Sequence, residues 1–418
     1  MQNRSLIVSS YAPPAIGGPN NLYCLLRDAD PDSYAVLTSF YNIDNLSAKV
    51  GNWLSGDYIF YDKPNASKQE AMNPKDGSSS RGRDLLSRVK HWVKSNKVVR
   101  ILLGFPVILG QVLAIYRRGK KAIKEGWFNR IVAFSDYGPA MIAGYFLHKK
   151  TGQPLHLFMF DLYKGNFLPF PGGWLSSYFE PRLMKAAKKV VLTNQGTKDI
   201  YMARYPEIDA KKFVVIHNSA FPEEYLKLYQ ERDMQAPYTI LFTGRIYWPQ
   251  IGALRNLLRA MDGINDLDIK LKFYCPNPRD YLKRLGISSD KLELDVAPPS
   301  EMPKIQGSAD ILFLPLSWGT KSQQIIDTAT PGKLTDYLIA GRPILIHAPK
   351  TATVVKYARE NDFAAVCDED DVELLRKEVR KLIEDKEFAK RIVRNARATF
   401  LKNHDANKNS IKFMDVLK

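Results

Sequence analysis

Cysteine is scarce in this chain of 418 residues: Cys24, Cys275 and Cys367 are widely spaced and odd in number. That pattern excludes a disulfide framework, and no two of the three have metal-ligand spacing, so all three read as buried small hydrophobes in a reducing compartment. The six histidines form neither His-x3-His nor Glu-x-x-His, so no metal set is expected. His217 and His347 fall at or near strand ends and read as structural. A Gly-x-Ser-x-Gly elbow and a Gly-x-Gly-x-x-Gly fingerprint are both missing, which disfavours acyl transfer and a nicotinamide enzyme. Long apolar runs are missing too. Leu6-Ile-Val8 is too short for the core of a signal peptide and leads directly into a Pro/Gly loop, so no leader is expected.

Acidic residues are short in one half only. Residues 1–220 hold 30 Lys/Arg and 16 Asp/Glu, a balance of +14 out of a total of +17. Within Arg81–Lys124 there are 12 basic residues and one acidic one, Asp84. Such a block needs an anionic partner or heavy solvation. It encloses the aliphatic run Ile101–Gly110, whereas nucleic-acid grooves pair basic residues with stacking aromatics, so nucleic acid is not expected as a partner. An anionic membrane surface fits better. The 16 residues between Arg100 and Arg117 reach about 24 Å as a helix, short of a hydrocarbon core of about 30 Å. Gly104, Pro106 and Gly110 weaken that helix further. An interfacial or shallowly inserted helical hairpin is expected, with a buried helix of the N-terminal domain as the alternative.

What is present is an alternation of strands and helices. Arg4–Ser10 reads as a strand, Tyr11–Asn20 as a Pro/Gly loop and Asn21–Leu26 as a helix start, a unit that can bring backbone N–H groups close to phosphate. Strands are expected at Tyr34–Ser39, Ile131–Ser135, Pro154–Phe160, Lys189–Thr193 and Lys212–His217, with a mobile loop over Ala66–Arg83. After Pro237 the pattern restarts with Tyr238–Thr243, Ile269–Tyr274, Ile311–Leu314 and Ile344–Ile346. Alternation of this kind implies parallel α/β sheets, and the length suits two domains of about 200 residues.

The segment Thr330-Pro-Gly-Lys-Leu-Thr-Asp-Tyr-Leu-Ile-Ala-Gly-Arg-Pro343 carries the strongest chemical signal. Thr330 suits an N-cap and Pro331 the first helical position. Gly332 lets a ligand approach the backbone, and Lys333 would add an ammonium near the positive end of the helix dipole. Asp336 follows by three residues on a nearby part of the same face. The pair could hold a diphosphate and the hydroxyls of its ribose, or could be an ordinary surface Lys/Asp pair on a capped helix.

This segment resembles the donor-site helix of GT-B glycosyltransferases, in particular the glycosyltransferase family 4-like group. Bacterial envelope members of that group read Pro-x-Lys-Leu-x-Glu-Tyr-x-x-x-Gly-x-Pro. Pro331, Lys333, Leu334, Tyr337, Gly341 and Pro343 match, with Asp336 in place of Glu, and Ser308–Leu316 resembles the preceding Ala-Asp-(apolar)-Pro strand. The resemblance implies an α/β fold with GT-B architecture, two Rossmann-like domains facing each other across a cleft: 1–236 on the acceptor side with the basic and apolar segment 81–124, 237–395 binding the nucleotide sugar, and a C-terminal helix, 396–418, returning to the N-terminal domain. It implies a glycosyltransferase that moves a sugar from a nucleotide-diphosphate sugar to a lipid-linked or membrane-associated glycan, without metal or cofactor and with retention of configuration. Such an enzyme would be peripheral on the inner face of a bacterial plasma membrane. The donor residues it implies are Gly17, Gly18, Gly244, Arg245, Thr328, Thr330, Gly332, Lys333, Leu334 and Asp336. Arg245 and Lys333 would stabilise the leaving diphosphate, and Asp161 would bind an acceptor hydroxyl or serve as a loop carboxylate.

Two departures qualify that picture. The first carboxylate of the family's Glu-x7-Glu pair falls on Thr328, which cannot ionise. Gln250 and Ile251 stand where the Gly-Arg…Lys-Gly loop would place its lysine. Asp-x-Asp strings occur at Asp28–Asp30, Asp266–Asp268 and Asp368–Asp370, but none clearly ends a strong apolar strand. A sugar-nucleotide epimerase of the same fold and a membrane-peripheral adaptor that has lost catalysis are the competing readings.

Overall fold

A computed structural model describes residues 4–14, 17–43, 51–73, 97–126, 128–136, 138–166, 168, 170–228, 233–319 and 323–418, with side chains of the long helix from Gly104 onward. The chain divides into two compact units, Met1–Ile216 with Ser410–Lys418, and His217–Asn409. The exchange between them falls upstream of Pro237.

The first unit is built on seven parallel strands: β1 Ser5–Val8, β2 Tyr34–Thr38, β3 Asp57–Phe60, β4 Arg130–Phe134, β5 Leu155–Met159, β6 Lys189–Leu192 and β7 Phe213–Val215. Their order is β3-β2-β1-β4-β5-β6-β7, so the winding reverses between β1 and β4. The inner strands are buried along their whole length, which is why they read as continuous apolar runs and not as alternating ones. The expected strands appear here, and β3, which the sequence did not suggest, is added at the edge. Lys68–Met72 forms a helical turn capped by Ser67 where a loop was expected; the remainder of that stretch, from 74, lies outside the described residues.

Within the basic segment, Lys97–Gly126 is one continuous helix of 30 residues with Pro106 inside it, so the aliphatic run Ile101–Gly110 does not turn back on itself, and the packing of its later turns follows the alternative of a buried helix. Val112, Ile115 and Ala122 are buried in the core of the first unit. That packing offsets the helix-weakening effect of Pro106, Gly104 and Gly110, which propensity alone would make decisive. Arg81–Asn96 lies outside the described residues. Among the described residues no helix is long and apolar enough to cross a membrane.

The second unit has six parallel strands: β8 Tyr238–Thr243, β9 Ile269–Tyr274, β10 Leu292–Asp295, β11 Ile311–Pro315, β12 Ile344–His347 and β13 Ala365–Cys367. The order β10-β9-β8-β11-β12-β13 again reverses at its centre, between β8 and β11. One apolar cluster under Ile240, Phe242 and Phe273 and another under Leu312, Leu314 and Ile346 fill its two faces. Helices Val372–Glu384 and Lys386–Asn403 follow. The last helix, Ala406–Leu417, enters the first unit at Ser410, where Phe413 and Leu417 are buried.

Candidate functional site

Open parallel sheets offer a ligand crevice where the strand order reverses, beyond the carboxyl ends of the strands. In the second unit that point is the end of β8, and Gly244 and Arg245 follow it directly. Gly244 has φ +100°, a conformation that side chains rarely adopt. Arg245 is exposed and forms no ion pair among the described residues.

Lys333 comes to the same place from the start of the helix Lys333–Ile339. Its Nζ lies 3.5 Å from the centre of the Phe242 ring, and a Cβ on Gly244 would stand 3.7 Å from it. That ammonium is shielded from water and has no hydrogen-bond partner. Burial pushes its pKa down to about 7, against smaller opposing effects of Cys275 and Asp336. A surface Lys/Asp pair would be solvated and would titrate near the ordinary value.

Tyr225, from the helix Pro222–Leu226, stands beside Asp336 and opposes the effect of burial, which pushes the Asp336 carboxyl up to about 6; its hydroxyl donates to Gln306 Oε1 at 3.4 Å. Tyr337 fixes the helix to the strand, its hydroxyl accepting the Thr243 N–H at 3.1 Å and lying 3.2 Å from Thr243 Oγ1. Leu334 is fully buried beneath the helix. Tyr225 had no signal in the sequence, because it lies far from the motif and reaches Asp336 only in the fold. Exposed Tyr247 and Trp248, just after Arg245, were also missed.

The helix start differs from expectation. It has only seven residues, its capping position is Gly332 and no side chain caps it. Thr330 Oγ1 is buried without a partner, so Thr330 does not act as the N-cap. Pro331 and Gly332 close the first turn through their carbonyls, which accept from Leu334 and Thr335. So short a helix has little dipole to offer, and the local positive charge is mainly the lysine's own. Thr328 ends the separate helix Gln323–Thr328, where its hydroxyl donates to the Gln324 carbonyl at 2.9 Å. Asp327 beside it accepts from Thr351 Oγ1 at 2.6 Å and from Gln323.

In the first unit the corresponding reversal lies beyond β1 and β4. Gly17, at φ +90°, precedes the helix Gly18–Leu26, and both glycines are exposed. Asp136 caps the helix Pro139–Thr151, accepting from the N–H groups of Gly138 at 2.7 Å and Ala140 at 3.3 Å; its role is structural. Asp161 follows β5. It keeps accessible surface, yet the protein packed around it excludes enough water to push its carboxyl above the ordinary range. The loop after it is anchored on the fully buried Glu180, which accepts from Lys164 N at 2.5 Å, Tyr205 at 2.8 Å and Arg204; Tyr201 accepts from Tyr163 N at 3.0 Å.

Among the described residues no cluster of His, Cys, Asp and Glu could hold a metal ion. Members of the Asp-x-Asp strings are engaged elsewhere: Asp28 with Arg27, Asp30 in capping a turn, Asp266 with Arg380, and Asp368 with Arg359. The three cysteines are buried and free. His347 is buried between Asn256 and the Cys367 carbonyl, both 3.1 Å away, and burial pushes its pKa down to about 4.

No family model and no curated protein sequence matches the chain. Solved structures match along its whole length. HepE from Anabaena, crystallised with UDP and glucose, aligns with TM-score 0.62 at 12% identity over 99% of both chains. WaaG, a glycosyltransferase involved in lipopolysaccharide biosynthesis, aligns with TM-score 0.60 at 14% identity over 99% of both. The UDP-forming α,α-trehalose-phosphate synthase from Burkholderia vietnamiensis gives 0.63 at 12%, over 99% of this chain and 96% of that one. The chain therefore has the fold of the GT-B glycosyltransferases. At such identities the likeness establishes the fold, and the chemistry has to be argued from the site.

Proposed function

We propose that this protein is a glycosyltransferase that takes a sugar from a nucleoside-diphosphate donor and gives it to a lipid-linked or membrane-associated glycan. The observation that carries the reading is the Lys333 ammonium, held without a partner on Phe242 at the switch point of the second sheet. A buried cation without a hydrogen-bond partner is costly, and a diphosphate is an anion of the size and charge to relieve that cost. HepE structures containing UDP and UDP-glucose share the fold, which supports the same class of donor here.

In the reaction the bond between the sugar's anomeric carbon and the diphosphate oxygen breaks as the acceptor oxygen forms a new one. The acceptor's proton passes to the departing diphosphate, so no protein nucleophile is required and configuration is retained. Negative charge grows on the β-phosphate, where Lys333 and Arg245 supply fixed positive charge in a site of low polarity. Asp336 accepts from a ribose hydroxyl, with Tyr225 beside it. With Thr328 occupied inside its own helix, the sugar is held by groups other than a carboxylate at that position. No step calls for a metal.

The acceptor is the finer part of this reading. Neighbours of the same fold differ in it, one acting in lipopolysaccharide biosynthesis and another being a trehalose-phosphate synthase. A membrane-associated acceptor, met by a peripheral protein at the cytoplasmic face of the membrane, is supported by the basic and aliphatic character of Arg81–Lys124. The test is transfer of label from a sugar-labelled nucleotide donor into extracted lipid. Labelled lipid is the expected product. An altered sugar nucleotide without transfer would make the protein an epimerase, and neither change would leave a non-catalytic adaptor.

A further inference from the structure

The membrane reading above rests on one segment of sequence; in the fold a second, distant segment joins it. On the helix Lys97–Gly126 the core-facing residues Val112, Ile115 and Ala122 leave Phe105, Leu109 and Leu113 in solvent, four residues apart on one face. Continuing along that face, the exposed residues become basic: Arg117, Lys120, Lys121 and Lys124. The helix Gly172–Ala186 repeats this arrangement. Leu175, Leu183 and Met184 are buried, while Trp174 and Tyr178 are exposed and stacked, ring centres 5.9 Å apart and planes within 10°. The next position on that face is Arg182, whose guanidinium sits 3.7 Å from the centre of the Tyr178 ring.

The two helices meet at their apolar ends. Gly104 lies so close under Pro171 that a Cβ there would approach its Cδ to 2.8 Å. The neighbouring Phe105 ring is 6.1 Å from Trp174. Phe170 is exposed at the same junction, so the apolar side chains form one surface, each between 41% and 57% exposed.

We propose that these two helices together form a docking surface for an anionic lipid bilayer, with Phe105, Phe170 and Trp174 entering the interface and the basic ends resting on headgroups. This inference builds on the membrane reading and specifies the surface that serves it. Charge selects the occupant: Arg117, Lys120, Lys121 and Lys124 are exposed, and among the described residues the one carboxylate paired with them is Glu125, 3.9 Å from Lys121. Trp and Tyr, apolar with one polar atom, suit the headgroup boundary. Single-stranded nucleic acid would cover the aromatic rings but leave Leu109 and Leu113 in water. An interfacial helix sinks its apolar face about 5–10 Å, so the half-exposed side chains would be covered without loss of their contacts to the core.

The experiment is flotation of the full chain with phosphatidylcholine vesicles, with and without phosphatidylglycerol, for wild type and for the double variant Phe170→Ser/Trp174→Ser. Wild type should float with the anionic vesicles only. The double variant should lose about tenfold or more in partition, as expected for removing two large apolar side chains from the interface, while keeping UDP affinity and thermal midpoint. Should the double variant fold poorly, Trp174→Phe serves instead: quenching of tryptophan emission by brominated lipid should fall relative to wild type. If wild type floats and the variants float and quench equally, this surface is wrong while membrane attachment stands. If wild type ignores anionic vesicles, both fall. If the face instead mediates self-association that Phe170→Ser/Trp174→Ser abolishes, the occupant is a second copy and the lipid assignment is overturned.

Discussion

Each half of the molecule buries a charged side chain, and the two are satisfied in opposite ways. Glu180, in the first unit, has no exposed surface and accepts from Arg204, Tyr205, Tyr201 and a backbone N–H. Lys333, in the second, has its ammonium on an aromatic face with no hydrogen-bond partner. A buried charge with every lone pair engaged is part of the scaffold; one without partners marks a place built for something else. The first unit leaves its own shortfall on the outside, as apolar rings in water. The difference supports the two proposals made above, an anion for the second unit and a lipid surface for the first.

The sharpest way to break this contrast is to remove each charge. Glu180→Ala should destabilise the protein by about 3–5 kcal/mol, because Arg204 and two tyrosines lose their acceptor in a buried site. Lys333→Met should raise the unliganded midpoint and not lower it, since it deletes an unpaired buried cation of similar length. Denaturant unfolding of both variants checks the pair, and destabilisation of similar size in both would erase the distinction. The same Lys333→Met protein should bind UDP more weakly by about 1.5–3 kcal/mol, the range for a charge-assisted contact, measured by calorimetry.

A pH series sharpens the comparison further. The Lys333 pKa is lowered from 10.5 to about 7 in the folded protein. Between those values the unfolded chain binds a proton that the folded one does not, so this group makes stability rise with pH from about 7 upward. Diphosphate binding has the opposite sign. The ammonium is required, so affinity should fall as pH rises above about 7, approaching tenfold per unit if one proton is taken up on binding. Lys333→Met should flatten this contribution to both curves; an unchanged pH dependence of binding would detach Lys333 from the ligand.

Smaller effects should follow at the rim. Arg245→Ala should cost about 1 kcal/mol of UDP affinity, less than Lys333, because its exposed guanidinium already interacts with water. Asp336→Asn should weaken UDP more than pyrophosphate, readily seen by competition, if the carboxylate accepts from the ribose. Equal losses for the two ligands would confine Asp336 to supporting the helix.

The strands legible in the sequence were those with uninterrupted apolar runs, together with β9, whose apolar residues alternate with lysines, and β7, which closes the first sheet. The three that escaped notice, β3, β10 and β13, lie at sheet edges and have three or four residues each. An edge strand is supported from one side and half solvated, so Asp57-Tyr-Ile-Phe60 and Leu292-Glu-Leu-Asp295 carry too little pattern to stand out. In the candidate site, Gly244, Arg245, Lys333 and Asp336 could be named from local spacing and resemblance. Their partners could not: Tyr225 precedes Asp336 by more than a hundred residues, and Phe242 looks like any other residue of an apolar strand.

By itself, then, the sequence determined the α/β alternation, the central strands, the basic excess of the N-terminal half and the motif that begins at Pro331. These are properties of neighbours along the chain, fixed by periodicity and local charge. Only the tertiary structure decided that the Lys333 ammonium would be buried without a hydrogen-bond partner, that Thr330 would cap nothing, and that Phe105 would stand beside Trp174 with both in solvent. Burial, desolvation and the continuity of a surface depend on which distant segments pack together, and nothing in local spacing encodes them.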